Sequence, residues 1–262
     1  MPVDASHFSM VGFPVEMTQA GLSTAAQVYL SQCTPTQLAP SDVVCLVKDV
    51  SGGEMRLALR TAAGGPAVLV TMNPAFVGQG RTNVEIGADV SDPEEEPFEV
   101  TLTAHFTGDP SPLVFDLADP SEAARMLPGA KVTIDLAAFS FEPHVYADEA
   151  AFQREQDKQR ARVKFAPTFF IPTGMFFQSV GGAMPNGATR PVSYADFAGK
   201  VLTAELKVNH AGGGRFWSAL VQTYDGATVD VVMDPSTLPD GVKPGEILTG
   251  RFWLSARLAP AS

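Results

Sequence analysis

Apolar and polar positions alternate in short runs along most of this chain, and glycine or proline closes nearly every run. The clearest set lies at 42–50, 54–61 and 66–72, where DVVCLVKDV, EMRLALRT and PAVLVTM are split by SGG and AAGG. β-branched runs with turn residues between them predict an antiparallel meander. TNVEIGADV (82–90) adds a candidate strand. FEVTLTAHF (98–106) and SPLVFDLAD (111–119) suit a hairpin about TGDP, and AKVTIDLAAFSF (130–141) a further strand. After residue 190 the pattern resumes in FAGKVLTAELKVN, RFWSALVQTYDGATVDVVM and ILTGRFWLSARL, with HAGGG and YDG as turns.

Helical periodicity is rare. LSTAAQVYLSQC (22–33) predicts a short helix with a Thr24–Gln27 capping box, and Pro35 stops it. DPSEAARMLPG (119–129) predicts one or two helical turns capped by Asp119 or Ser121. ADEAAFQREQDKQRARVKF (147–165) is the strongest helix, with acidic residues leading and basic residues trailing along its dipole. Its apolar face is thin, mainly Phe152, so an exposed helix bridging two halves is expected. FAPTFFIPTGMFFQSVGGAMPNG (165–187) follows it and holds five of the chain's 17 phenylalanines. Leaving that much apolar surface bare costs stability and risks aggregation, so a hydrophobic joint between the halves or a partner interface at Phe169, Phe170, Phe176 and Phe177 is expected, with a ligand pocket as the remaining reading.

Ordered landmarks recur. Phe98, LTA (102–104), DPS (119–121), PG (128–129) and FS (139–140) are echoed by Phe197, LTA (202–204), DPS (234–236), PG (244–245) and FW (252–253). An internal duplication is one reading, and chance matching of common tripeptides is the other. Each unit would be a strand pair, an irregular crossing and a returning strand. That order resembles an oligonucleotide/oligosaccharide-binding (OB) barrel in architecture, without a sequence motif of that fold. The expected fold is mainly β with one exposed helix and short helical turns. It is built of small antiparallel barrels, OB-like at least in the C-terminal part. The organisation reads as an acidic β-rich domain at 1–146, a helix and Phe-rich connector at 147–189, and a barrel at 190–262.

Composition sharpens the picture. Of 262 residues, 45% are apolar, enough for a sizeable core. Proline and glycine total 44, which favours short strands over long helices. The net charge of −11 belongs wholly to residues 1–189, and residues 190–262 balance at zero. An acidic surface repels phosphate backbones and attracts basic partners. Cys33 and Cys45 lack metal-ligand spacing and read as free thiols. No leader-like or membrane-spanning apolar run is seen, so a cytoplasmic location is the default expectation.

Chemistry-bearing motifs are sparse. His7, His105, His144 and His210 form no metal-binding pair, and no nucleophile elbow or dinucleotide fingerprint occurs. GAMPNGAT (182–189) has P-loop glycine spacing but carries Ala188 where the lysine belongs. DPEEEP lacks the spacing of a calcium loop. No catalytic residue, metal ligand or cofactor is assigned. Asp116 with Asp119, and Asp225, Asp230 and Asp234, are the carboxylates able to serve an unrecognised enzyme site.

RFW occurs twice, at 215–217 and 251–253. In a strand, neighbouring rings face opposite sides, so each copy sends one ring inward and one outward beside a cation. Arg215, Trp217, Tyr224, Arg251, Trp253, Lys200 and Lys207 are therefore the residues expected to hold a single-stranded nucleic acid, if the barrels bind one. Three functions follow. The leading one is a non-catalytic binding protein of inhibitor, immunity or adaptor type, engaging another protein or a second copy through an acidic or aromatic surface. The alternatives are single-stranded nucleic-acid binding and an enzyme with a carboxylate-lined site.

Overall fold

The structure is a computed structural model and describes residues 6–61, 65–94, 97–158, 163–175 and 190–260. The expected meander is present with one strand more. β1 (Thr34–Ala39), β2 (Asp42–Lys48), β3 (Gly53–Thr61) and β4 (Ala67–Phe76) pair antiparallel in chain order. Pro35 thus lies within an edge strand, where a missing N–H is tolerated. Helix α1 (Gln19–Leu30) begins earlier than its sequence suggested. Thr18 is the cap, its Oγ1 accepting the Gly21 N–H at 3.1 Å, while Thr24 lies inside and donates to the Ala20 carbonyl. Gly21 hid this start. It is needed there because a Cβ would sit 2.4 Å from the Glu16 carbonyl oxygen.

The remaining strands are β5 (Thr82–Asp89), β6 (Thr101–Phe106), β7 (Pro112–Leu117), β8 (Lys131–Ser140), β9 (His144–Tyr146), β10 (Phe170–Ile171), β11 (Tyr194–Val208), β12 (Arg215–Gln222), β13 (Thr228–Met233) and β14 (Ile247–Leu258). Eight of them close a ring in the order β11-β12-β13-β8-β5-β6-β7-β14 and back to β11. β8 also pairs with β14 across the middle. The ring is therefore two five-stranded barrels that share β8 and β14. One is β5-β6-β7-β14-β8 and the other β11-β12-β13-β8-β14. Each has one parallel contact, β7 with β14 and β13 with β8. A mainly β protein of small, largely antiparallel barrels is what the strand patterning predicted, and five-stranded closure is compatible with the OB-like expectation.

The two four-stranded units, β5–β8 and β11–β14, share connection order and turn chemistry. After β7 the Asp119 carboxylate accepts from Ser121 N at 3.0 Å, and after β13 Asp234 accepts from Ser236 N at 2.7 Å. Before β8, Gly129 (φ 82°) donates to Ile86, and before β14, Gly245 (φ 92°) donates to Val201. The DPS and PG landmarks are thus structurally equivalent. The other three are not: Phe98 precedes β6, whereas Phe197 lies within β11. LTA lies in β6 of one unit and β11 of the next, and Phe139 faces out of the barrel where Phe252 faces in.

Two cores result. One fills the barrels, with Val84, Leu136, Phe115, Phe197, Phe252 and Leu254 among its members. The other lies between the barrel's outer wall, the four-stranded sheet, α1 and the N-terminal segment, and includes Phe8, Phe13, Leu57, Phe139 and Phe216. Hydrogen bonds between β8 and β14 bind residues before 146 directly to residues after 190.

α2 (Glu149–Lys158) is polar except for buried Phe152, which packs with Tyr146, Phe169, Ala198 and Ile247. Phe170 stands 5.3 Å from Phe106 and 5.8 Å from Phe197. Phe169 stands 4.7 Å from Phe165. Both are half-buried, Phe169 against Phe152 of α2 and Phe170 against the barrel core. Phe176, Phe177 and the glycine-rich GAMPNGAT lie outside the described residues. Among the described residues no helix is long and apolar enough to cross a membrane.

Candidate functional site: a cleft between sheet and barrel

β4 is the outer strand of its sheet, and its run Leu69–Ala75 lines a cavity of about 500 Å³. Strand periodicity places Thr71 and Asn73 on one face of the sheet, with Arg56, which pairs opposite Asn73 on β3. The far wall is the outside of the barrel. Leu113, Phe115 and Leu117 of β7 point into the barrel core, so Asp116 between them points out, into the cleft. Trp253 projects there from β14 by the same alternation. Its neighbours Phe252 and Leu254 fill the barrel. The N-terminal segment contributes His7 and Phe8, and α1 with its approach contributes Leu22 and Met17.

The floor is polar. Asp116 accepts from Thr101 Oγ1 and Trp253 Nε1, each at 2.6 Å, and from the Ser193 hydroxyl. Burial pushes its carboxyl above the ordinary range, and the three donors pull against that shift without cancelling it. Glu99 accepts through a single oxygen, Oε1, from Thr71 Oγ1 at 2.6 Å and Asn73 Nδ2 at 2.8 Å. Arg56 is 6% exposed. It donates through Nη1 to the carbonyls of Leu117 (3.3 Å) and Ala118 (2.9 Å). Burial lowers its pKa, and the fields of Glu99, Asp119 and Asp116 oppose that. It forms no ion pair among the described residues. Glu99, likewise, has none.

His7 completes the corner. Its ring lies 4.7 Å from Phe141 and 4.8 Å from Trp253, and its buried Nε2 has no hydrogen-bond partner among the described residues. Desolvation lowers its pKa to about 4, so it is neutral at pH 7. Burial and the Asp116 carboxylate raise the Tyr194 hydroxyl. The rim, by contrast, is apolar and open, with Met17 56% and Val70 45% exposed. An apolar mouth over a floor of hydrogen-bonding and charged groups suits a ligand with one polar end.

The residues expected to meet nucleic acid lie on β11 (Lys200, Lys207), β12 (Arg215, Trp217) and β14 (Arg251, Trp253), and in the turn before β13 (Tyr224). Trp253 is held by Asp116. Trp217 faces the barrel end, where a Cβ on Gly241 would meet it at 2.2 Å. Both RFW copies send one ring to each side, with opposite assignments. In the first, Phe216 packs on Phe76 of the sheet and Trp217 on the barrel core. In the second, Phe252 fills the barrel and Trp253 packs outside it. Tyr224 donates to Asp109 Oδ2 at 2.8 Å. Arg251 pairs with Asp196 at 2.9 Å. Lys207 donates to the Ser51 carbonyl at 3.0 Å and lies over the Phe76 ring. Lys207 opposes Phe216 near one end of the β11–β12 pair and Lys200 opposes Gln222 at the other, and both Lys200 and Arg215 are exposed.

Of the carboxylates singled out in the sequence, Asp119 and Asp234 brace their own turns, and Asp230 accepts from Gly80 N at 2.6 Å. Asp116 alone among them reaches the cleft. Arg56, Glu99 and His7 carried no motif. Arg56 and Arg60 do share a strand face in EMRLALR, and a charged face on a strand that is buried on both sides is the signal that could have marked it. A scan against protein-family models matches none of them, and a search of curated proteins finds no relative. The class is therefore defined by fold and site alone. This is a mainly β protein with a closed eight-stranded barrel, a four-stranded antiparallel sheet and a polar-floored cleft on the barrel's outer wall.

Proposed function

We propose that this chain is a binding protein whose ligand is a small molecule held in the cleft between β4 and the barrel. One observation carries the reading. A 500 Å³ cavity brings together Arg56, Glu99, Asp116 and His7 from four separate parts of the chain, under an apolar rim. That volume falls in the range of small-molecule sites, roughly 300–1,000 Å³. Buried charges are expensive, and a fold that needed only stability would fill such a position with apolar side chains.

Val70→Trp tests it, because Val70 is a rim residue on an edge strand and tolerates a larger side chain. Screening a metabolite library by thermal shift should give compounds that raise the melting temperature of the native chain and leave Val70→Trp unmoved. No stabilising compound, or equal shifts in both proteins, would overturn the reading.

A protein partner is the second reading, and the open sheet carries it. β1 and β4 are both edge strands, and Val68 and Val70 of β4 are 59% and 45% exposed. A partner strand could add to β4 beside the acidic N-terminal two-thirds. Crosslinking of a basic partner to residues 67–70 would support this reading over the first.

A further inference from the structure

The cleft floor holds two opposite charges that do not pair with each other. Arg56 is anchored by Nη1 alone, to two backbone carbonyls, and its other nitrogens make no hydrogen bond to a described residue. Glu99 uses Oε1 for both of its bonds, and Oε2 has no partner among the described residues. Thr71 and Asn73 fix Glu99, and the β7 carbonyls fix Arg56, so neither can swing freely to neutralise the other. Both line the same cavity.

A ligand bearing only a carboxylate would meet Arg56 but be repelled by Glu99 and Asp116. A ligand bearing only an amine would meet Glu99 and be repelled by Arg56. A ligand with both charges satisfies both ends and adds no net charge to a low-dielectric site. The walls above, Met17, Leu22, Leu69 and Val70, offer apolar contact. Resting on the cleft reading above, we propose that the ligand is a small zwitterion with an apolar side group, of which an apolar α-amino acid is the simplest. Its carboxylate lies on Arg56 and its ammonium on Glu99. Thr71 and Asn73 act as positioning residues, holding the Glu99 carboxylate for that ammonium.

Calorimetry with three probes of one skeleton tests the assignment on the unaltered protein: L-leucine, 4-methylpentanoate and 3-methylbutylamine. Leucine should bind, and each singly charged analogue should bind at least about tenfold more weakly, because one charge of the cleft floor is then left without a counter-charge. Glu99→Gln should weaken leucine by about tenfold while narrowing its advantage over 4-methylpentanoate. Arg56→Met should do the converse for the amine, with circular dichroism confirming that the variant folds. Equal affinity for leucine and either analogue would overturn the zwitterion assignment, as would no binding of leucine. The cleft reading would survive either result if other compounds still stabilised the native chain and not Val70→Trp. If no compound did so, both would fall.

Discussion

Asp116 and Asp230 occupy the same place in the two barrel units and have opposite surroundings. Asp116 lies opposite Ser255 in one parallel contact, Asp230 opposite Ala137 in the other, and Ser255 and Ala137 face each other across the shared pair β8–β14. At Asp230 the loop Gly78–Gly80 closes the position. A Cβ on Gly78 would sit 2.1 Å from the carboxylate, which receives the Gly80 N–H. At Asp116 no glycine loop is packed on the carboxylate among the described residues; Ser193, just before β11, donates its hydroxyl instead, and the carboxylate lines the cleft. The Asp230 partner is backbone, fixed by the loop. The Asp116 partners are two hydroxyls and an indole, all side chains that can re-pair. One frame thus gives a plugged carboxylate that fastens a loop and an open one that shapes a cavity. Two positions matched in strand order and pairing can in this way serve different ends, one fastening the fold and one opening on a cavity.

The largest effect should come from the plugged side. Asp230→Ala strands the loop's N–H in a buried position and is expected to cost about 3 kcal/mol, read by urea unfolding. A cost below that of Asp116→Ala would break the comparison. Next is the acid response of the cleft side. The folded pKa of His7, about 4, lies below its ordinary 6.5. The unfolded chain therefore binds the proton first, and stability is lost as pH falls from 6.5 towards 4. The loss should be about 2.5 kcal/mol by pH 4.5, and His7→Phe should remove it from the native-minus-variant difference. An unchanged pH profile in His7→Phe would refute the assignment. Smaller again, Asp116→Ala should cost about 1.5 kcal/mol, because the hydroxyls of Thr101 and Ser193 can turn to other acceptors or to water in the cleft. It should also shift Trp253 fluorescence. The carboxyls of Asp116 and Asp230 are both raised by burial, so the folded protein binds their protons more readily than the unfolded chain. Both therefore contribute stability that falls as pH rises from about 4. Asp116→Asn should flatten that part of the profile.

Much of the frame was legible. The meander, the 98–119 hairpin, the polar α2 and the C-terminal strands followed from alternation and turn residues. So did the DPS and PG turns, because an aspartate two residues before a serine N–H and a glycine at positive φ are local chemistry. Other landmarks misled for a physical reason. LTA and Phe-Ser are strand content, which any strand of either face can carry, whereas a turn demands particular residues. β1 was hidden by Pro35, read as a stop and here tolerated in an edge strand, and the true start of α1 by Gly21, which precedes the Thr24–Gln27 box and here serves a close approach to Glu16. Asp116 and Trp253 were both singled out, for different purposes, and nothing in the sequence joined them.

The sequence by itself determined where most of the turns fall, which of the longer apolar runs become strands, and that the acidity lies before residue 190. Those are properties of neighbours along the chain, set by backbone dihedral preference and side-chain period. Only the tertiary structure decided that β8 and β14 are shared between two barrels and that Arg56 comes to face Glu99 and Asp116. Only it showed that one of two equivalent aspartates is plugged while the other opens on a cavity. Those are contacts between residues dozens to more than a hundred positions apart. Closure of the barrel and burial of its outer wall fix them, and no local pattern records which strand will meet which.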